Sequence, residues 1–280
     1  MTYSLIGRDP GSGEIGVAVQ SQAFNTGAAV PWARPGVGAV ATQSFTDRRY
    51  GWRGLELLTH GIEPADALAQ LRDGDELIEF RQVGVMAADG RSAQFTGAHC
   101  VPSAGGAAGE NWIAQANMVE SARVWESMGE SFAAAGGSLA ERLMAGLEAA
   151  EAAGGDWRGR GGAAIVVVPS DGEPWERVID LRVEEGDGSL VELRRLLERA
   201  LGYRAANRAI ADREEIGLRY DLPSTHVRWL AIEDALDQGD TQAARALYAA
   251  LEHEQPRWRD FAKAVMLVPG SEHFGDLLAD

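Results

Sequence analysis

The chain has 280 residues, enough for one large domain or a main domain with a small appendage, and enough to bury a core without disulfide or metal staples. Its 45% hydrophobic and 24% charged residues are globular proportions and exclude general disorder. A formal net charge of −16 excludes nucleic acid and anionic membranes as partners, since both demand clustered Lys and Arg.

In chain order, residues 3–8 and 15–19 read as two short apolar strands around the turn residues Asp9-Pro10-Gly11-Ser12-Gly13, which predicts a hairpin. Residues 36–42 read as a buried strand of small residues. Residues 54–71 carry an apolar stripe of Leu55, Leu57, Leu58, Ala65, Leu68 and Leu71 with Pro64 where a second helix would start, which predicts a helical pair. Ala88-Asp89-Gly90 between residues 82–87 and 92–96 predicts a second hairpin.

The glycine- and alanine-rich residues 103–109 read as a flexible loop leading to a helix over about 118–135. A further helix is expected over 138–153, with Ser138 and Glu141 as a capping box and Gly154-Gly155 as its stop. Strands follow at 163–168 and 177–183, then a helix at 190–201. Beyond Tyr203 the pattern is helical, with segments at 229–236, 241–251 and 258–265. Strands at both ends bracketing central helices predict a layered body of packed sheets covered by helices, spanning residues 1–202, with a small helical domain at 203–280.

Few motifs carry chemistry. Gly105-Gly106-Ala107-Ala108-Gly109 lacks the Lys-Ser or Lys-Thr of a phosphate loop. The five histidines form no spaced pair with another His or Cys, so no metal and no cofactor is expected. The lone cysteine, Cys100, reads as a buried small residue, with a functional thiol as the alternative. No secretory signal or apolar run of about 20 residues is visible, so the expected location is cytoplasmic.

Thr2 is the residue with chemical promise. Removal of Met1 would give Thr2 a free α-amine, which could take the proton of its own hydroxyl. An α-amine titrates near 7.7–8.0, roughly matched to neutral pH. Many chains begin Met-Thr, so this feature alone is weak.

A wider resemblance strengthens it. Tyr3-Ser4-Leu5-Ile6-Gly7-Arg8-Asp9-Pro10, Gly16-Val17-Ala18-Val19-Gln20-Ser21, the segment from Pro31 to Gln43, Tyr50-Gly51-Trp52-Arg53-Gly54-Leu55, Phe95-Thr96-Gly97-Ala98-His99-Cys100, Gln115-Ala116-Asn117 and the segment from Ala153 to Arg160 together resemble the "domain of unknown function 1028" family. That family is placed among the N-terminal-nucleophile (Ntn) hydrolases. The resemblance covers about residues 1–201 and implies an α+β, four-layer αββα sandwich that cleaves amides through a processed terminal residue.

Carried over residue by residue, it implies Thr2 as nucleophile and Asn117 and Asp156 as the groups that orient its amine. It further implies Gln20, Arg34, Gln43 and Gln115 as substrate-binding residues, Gln20 standing where an aspartate occurs in the proteasome pattern. Asn117 can equally be a buried amide satisfying backbone groups, and Asp156 a loop carboxylate paired with Arg158 or Arg160. The family often carries Gln-Ser where this chain has Gly161-Gly162, which removes a hydroxyl, and Ala116 replaces a glycine.

The expected partner is a small or peptide-like amide. The alternative is a non-catalytic protein that binds a ligand or partner through the same cleft. The segment from Gln255 to Phe261 loosely resembles a peptidoglycan-binding segment, but Trp229, Trp258 and Phe261 at helical spacing read as core, with packing or homo-oligomer formation as the tail's role.

Overall fold

The structure is a computed structural model that describes residues 2–208 and 213–278. Contacts divide them into two compact units, one up to Leu197 and one from Glu198. The first contains ten strands among its described residues: β1 (Thr2–Arg8), β2 (Ile15–Ser21), β3 (Pro31–Arg34), β4 (Gly38–Ser44), β5 (Arg81–Ala87), β6 (Ser92–Thr96), β7 (Gly105–Gly109), β8 (Trp112–Asn117), β9 (Gly162–Val168) and β10 (Ile179–Val183). Its helices are α1 (Arg48–Thr59), α2 (Pro64–Arg72), α3 (Arg123–Ala134) and α4 (Leu139–Ala152), and α5 (Ser189–Arg208) begins in it.

All strand pairs are antiparallel. A large sheet has the order β10-β9-β2-β1-β8-β7 and a small one the order β3-β4-β5-β6. Alternation along each strand decides what lies where. Ile6, Val17, Val19, Ile113 and Val166 of the large sheet meet Ala39, Ala41 and Met86 of the small one in a buried apolar layer. The other face of the small sheet, with Val40, Val83 and Val85, is covered by Leu55 and Leu58 of α1 and Leu68 and Leu71 of α2. The other face of the large sheet receives α3 and α4; a side chain on Gly7 would strike Phe132 and Leu143, and one on Gly146 would strike Leu5. The mixed α+β class expected from the sequence is present, in the layer order helix, sheet, sheet, helix.

Two local expectations fail. Residues 103–109 are not a loop: Gly105–Gly109 is the edge strand β7, and β8 occupies Trp112–Asn117 before any helix begins. Glycine and alanine disfavour strands by propensity, but β7 lies against Trp112 and Trp125, which leave no room for larger residues at Gly109 and Gly105. The helix expected from about 118 starts only at Arg123, because Met118 adopts φ 57 and turns the chain sharply. The Ser138–Glu141 capping box forms as the spacing predicts.

The second unit holds α6 (Arg213–Arg219), α7 (Ser224–Asp237), α8 (Thr241–Glu254), α9 (Trp258–Val265) and a 3-10 segment at Glu272–Leu278. Trp229 stacks on Trp258 at 5.4 Å and on Phe274 at 5.5 Å, and meets Phe261 edge-on at 4.8 Å. Trp229 and Phe274 belong to this unit's own core, with Ile232, Tyr248 and Leu251, and Trp258 packs against it, whereas Phe261 is 46% exposed and lies outside that core. Among the described residues no helix is long and apolar enough to cross a membrane.

Candidate functional site

Thr2, Ser21, Asn117 and Gly162 stand opposite one another across four neighbouring strands of the large sheet, at the end where β1 begins. Opposed residues share a face, so all four point towards the small sheet, like Ile6 and Val19 on the same strands. The Thr2 hydroxyl donates to the Ser21 hydroxyl at 3.0 Å, which also accepts from the Ala23 N–H at 3.1 Å. Both residues are nearly buried, Thr2 at 8% exposure and Ser21 at 1%.

Asp156 reaches the same end from the loop after α4. Its carboxylate accepts from the Gln22 N–H at 3.0 Å, from the Arg158 N–H at 2.8 Å and from the Arg158 guanidinium at 3.4 Å. Its side chain is fully buried. Burial pushes its pKa up to about 6, against the pull of the Arg158 and Gln22 N–H groups, and Glu151 adds to the rise. Behind Thr2, on the helix side, the Tyr3 hydroxyl donates to Glu151 at 2.8 Å, and burial raises its pKa well above the usual phenol value.

On the opposite side of Thr2 lies a buried set of carboxamides between the sheets. The Thr2 carbonyl accepts from Gln43 Nε2 at 3.2 Å and from Asn117 Nδ2 at 3.4 Å. Gln43 Nε2 also donates to the Gln115 carbonyl and to Gln82 Oε1, the latter at 2.7 Å. Asn117 Nδ2 donates to the same Gln82 oxygen at 3.1 Å. Ser4 links Gln43 Oε1, at 2.7 Å, to Gln115 Nε2, at 3.2 Å. Asn117 Oδ1 is buried and has no hydrogen-bond partner.

Of the residues singled out from the sequence, Thr2, Asn117, Gln43 and Asp156 therefore come together. Gln115 lies one layer deeper and bonds Ser4 and the Ala41 carbonyl rather than Thr2. Gln20 does not join them: it pairs with Tyr3 and Ala163 and faces α4, on the far side of the sheet from the Thr2 hydroxyl. Its amide is fully buried without a hydrogen-bond partner. Arg34 is elsewhere again. It pairs with Gly38, five residues from Gln43 and roughly 16 Å along β4, and its guanidinium binds Glu56 at 2.7 Å and Thr59 at 3.0 Å. Ala116 shares the face of Tyr3 and crowds nothing beside Thr2.

Sequence reasoning missed Ser21 and Gln82 as site residues. The hairpin register would have revealed Ser21, because pairing Arg8 with Ile15 sets Thr2 opposite Ser21. Gln82 is the one polar residue on an inner strand face that it shares with Gly84 and Met86, which is a signal in itself. Among the described residues no three His, Cys, Asp or Glu side chains converge as a metal site requires.

Comparison with known proteins gives a family and a fold. The profile of a family of unknown function, DUF1028, matches residues 2–193. A Silicibacter pomeroyi protein of the same family, known from its crystal structure, is similar in structure: TM-score 0.65, 29% identity, covering 71% of this chain and 88% of that one. No curated protein matches the chain.

Proposed function

The chain belongs to the DUF1028 family, and from the geometry at Thr2 we propose that it is an Ntn-type amidohydrolase acting on a small or peptide-like amide. The observation that carries this reading is the convergence of the Thr2 and Ser21 hydroxyls, the Asp156 carboxylate and the Asn117 carboxamide at one end of the paired sheets. The layer order of the first unit is the one the Ntn resemblance implies and supports it further.

Cleavage of the Met1–Thr2 bond supplies the amine. The Thr2 hydroxyl then attacks the substrate carbonyl carbon while its proton passes to the Thr2 nitrogen. Collapse of the tetrahedral adduct breaks the C–N bond, and the leaving amine takes that proton. Water hydrolyses the resulting ester and restores the hydroxyl. Both N–H groups of Asn117 are committed, to Thr2 and to Gln82, so the oxyanion falls to main-chain donors, each worth roughly 3–4 kcal/mol when well placed. The unpartnered Asn117 Oδ1 is the acceptor suited to a Thr2 amine.

Intact mass and an amide panel, run on wild type and Thr2→Ala, test the reading. Loss of Met1 with amine release that vanishes in Thr2→Ala is expected. Met1 retained in active protein, or full activity in Thr2→Ala, overturns it. A binding role without turnover is favoured by the placement of Gln20 on the other face and by the near burial of Thr2; Thr2-dependent turnover excludes it.

A further inference from the structure

Gln82 is 0% exposed and lies on the small sheet, yet its carboxamide bonds mainly to the large one. Its Nε2 donates to the carbonyls of Gly105 at 3.0 Å and Ala116 at 2.9 Å, and to Thr96 Oγ1 at 2.9 Å. Carbonyls only accept, so the nitrogen must face them and the oxygen must face the other way. That oxygen accepts from Gln43 and from Asn117. The polarity of Asn117 follows, and it agrees with that of Gln43, which the Gln115 carbonyl and Ser4 also set: each presents an N–H, not an oxygen, to the Thr2 carbonyl. Two main-chain carbonyls of β7 and β8 thus set, through Gln82, how Asn117 holds the Thr2 peptide.

We infer that Gln82 is a positioning residue that fixes the Thr2 main chain, and with it the amine and hydroxyl, by orienting the Asn117 carboxamide and anchoring that of Gln43. The inference rests on the amidohydrolase reading of Thr2 and adds a residue that never touches substrate. Thr2 is the first residue of its strand, and strand ends fray first even where, as here, both neighbouring strands pair with it. Two side-chain donors on its carbonyl remove that freedom. Without the Gln82 oxygen, the Asn117 carboxamide could rotate by half a turn and present oxygen to oxygen, while Gln43 would lose one acceptor but stay oriented by the Gln115 carbonyl and Ser4.

The sequence provides a clean probe. Thr2-Tyr3 is the single Thr-Tyr step in the chain, so protein labelled with carbonyl-13C threonine and 15N tyrosine gives one Thr2–Tyr3 correlation by NMR. Its carbonyl shift reads the two hydrogen bonds, and its pH titration reads the neighbouring α-amine. Two variants separate positioning from packing. Gln82→Met fills the volume but accepts nothing. Gln82→Glu, held protonated among carbonyls, can donate to one of them and still accept from Gln43 and Asn117.

Expected is an upfield carbonyl shift and a displaced titration in Gln82→Met, with Gln82→Glu close to wild type in both. An unmoved peak in Gln82→Met, or equal shifts in both variants, overturns the role of Gln82 alone. A wild-type peak that does not titrate between about pH 6 and 9 means a blocked amine and overturns the amidohydrolase reading together with the inference.

Discussion

The Thr2 hydroxyl stands 3.0 Å from the Ser21 hydroxyl because the tight turn after Arg8 sets the β1–β2 register that makes them cross-strand neighbours. Ser21 in turn is held by the Ala23 N–H, so the pair is positioned by main chain on both sides. Ser21→Ala removes the hydroxyl that accepts the Thr2 hydrogen bond without altering the strand. If Thr2 cleaves amides as proposed, the expected fall in kcat is about 10-fold, the size of one lost positioning hydrogen bond. The same change should cost only about 1 kcal/mol in urea unfolding. Unchanged kcat in Ser21→Ala would remove Ser21 from the mechanism.

Asp156 gives a pH dependence of defined sign. Burial raises its pKa to about 6 in the fold, above its ordinary value near 3.8. The folded state therefore holds the proton more tightly, and ionisation between those pH values works against folding. Its favourable contribution is complete below about pH 4 and is lost as pH rises through 6. Asp156→Asn abolishes the titration. Relative to wild type, the variant should gain stability between pH 4.5 and 8, by an amount on the order of 2 kcal/mol, read by urea unfolding at each pH. A gap that does not change with pH would refute the assignment. Activity should follow the same group, with an acid limb near pH 6 in wild type that disappears in the variant.

Asp75 behaves oppositely. Arg81, 5% exposed, bonds Asp75 through its Nε and again through Nη2 at 3.1 Å, and also lies 3.6 Å from Asp47. The guanidinium, with Tyr50 and the Leu77 N–H, holds the Asp75 carboxyl far below the usual range. The stability this contributes is present above about pH 4 and is lost as pH falls below it. Arg81→Met strands the Asp75 carboxylate, while Asp47 keeps Arg49 at 2.6 Å, and should cost roughly 3–5 kcal/mol at neutral pH. Because Asp75 can then protonate, the deficit should shrink on acidification. Chemical denaturation at pH 7 and pH 3.5 measures it; a constant deficit would show packing rather than charge to be the cause.

The parts of this architecture that could be read from sequence are those fixed by local chemistry. The first hairpin follows from Asp9-Pro10-Gly11-Ser12-Gly13, the α4 start from Ser138 and Glu141, and the second hairpin from Asp89-Gly90. The β7–β8 pair was hidden because Gly105–Gly109 is chosen for thinness beneath Trp125, not for strand propensity. The site divides the same way. Thr2, Asn117 and Asp156 came from terminal chemistry and family resemblance, and they converge. Gln20 was misplaced because motif proximity ignores alternation: one step along β2 from Ser21 moves a side chain to the other face. Gln82 escaped because its partners lie on β7 and β8, distant in sequence and joined to it only when the sheets pack.

Gly161 and Gly162 yield the sharpest steric contrast. A side chain on Gly161 would place its Cβ 2.2 Å from the Gln22 carbonyl oxygen, a main-chain atom that cannot step aside. Gln22 is also the residue whose N–H holds Asp156, so Gly161→Ala should disturb that bond as well as cost about 1–3 kcal/mol of overpacking. At Gly162 the nearest atoms to a Cβ are the Glu184 and Ala23 carbonyl oxygens and Thr26 Cγ2, at 3.1–3.2 Å, which asks the neighbours for only a few tenths of an ångström. Gly162 stands directly opposite Ser21, so Gly162→Ser would add a hydroxyl next to the Thr2–Ser21 pair. Thermal melts should show Gly161→Ala clearly destabilised and Gly162→Ser near wild type. The Asp156 titration, followed by side-chain carboxyl NMR, should move in Gly161→Ala because its Gln22 donor is displaced. Equal melting of the two variants would mean that the Gln22 segment yields freely and does not clamp Asp156.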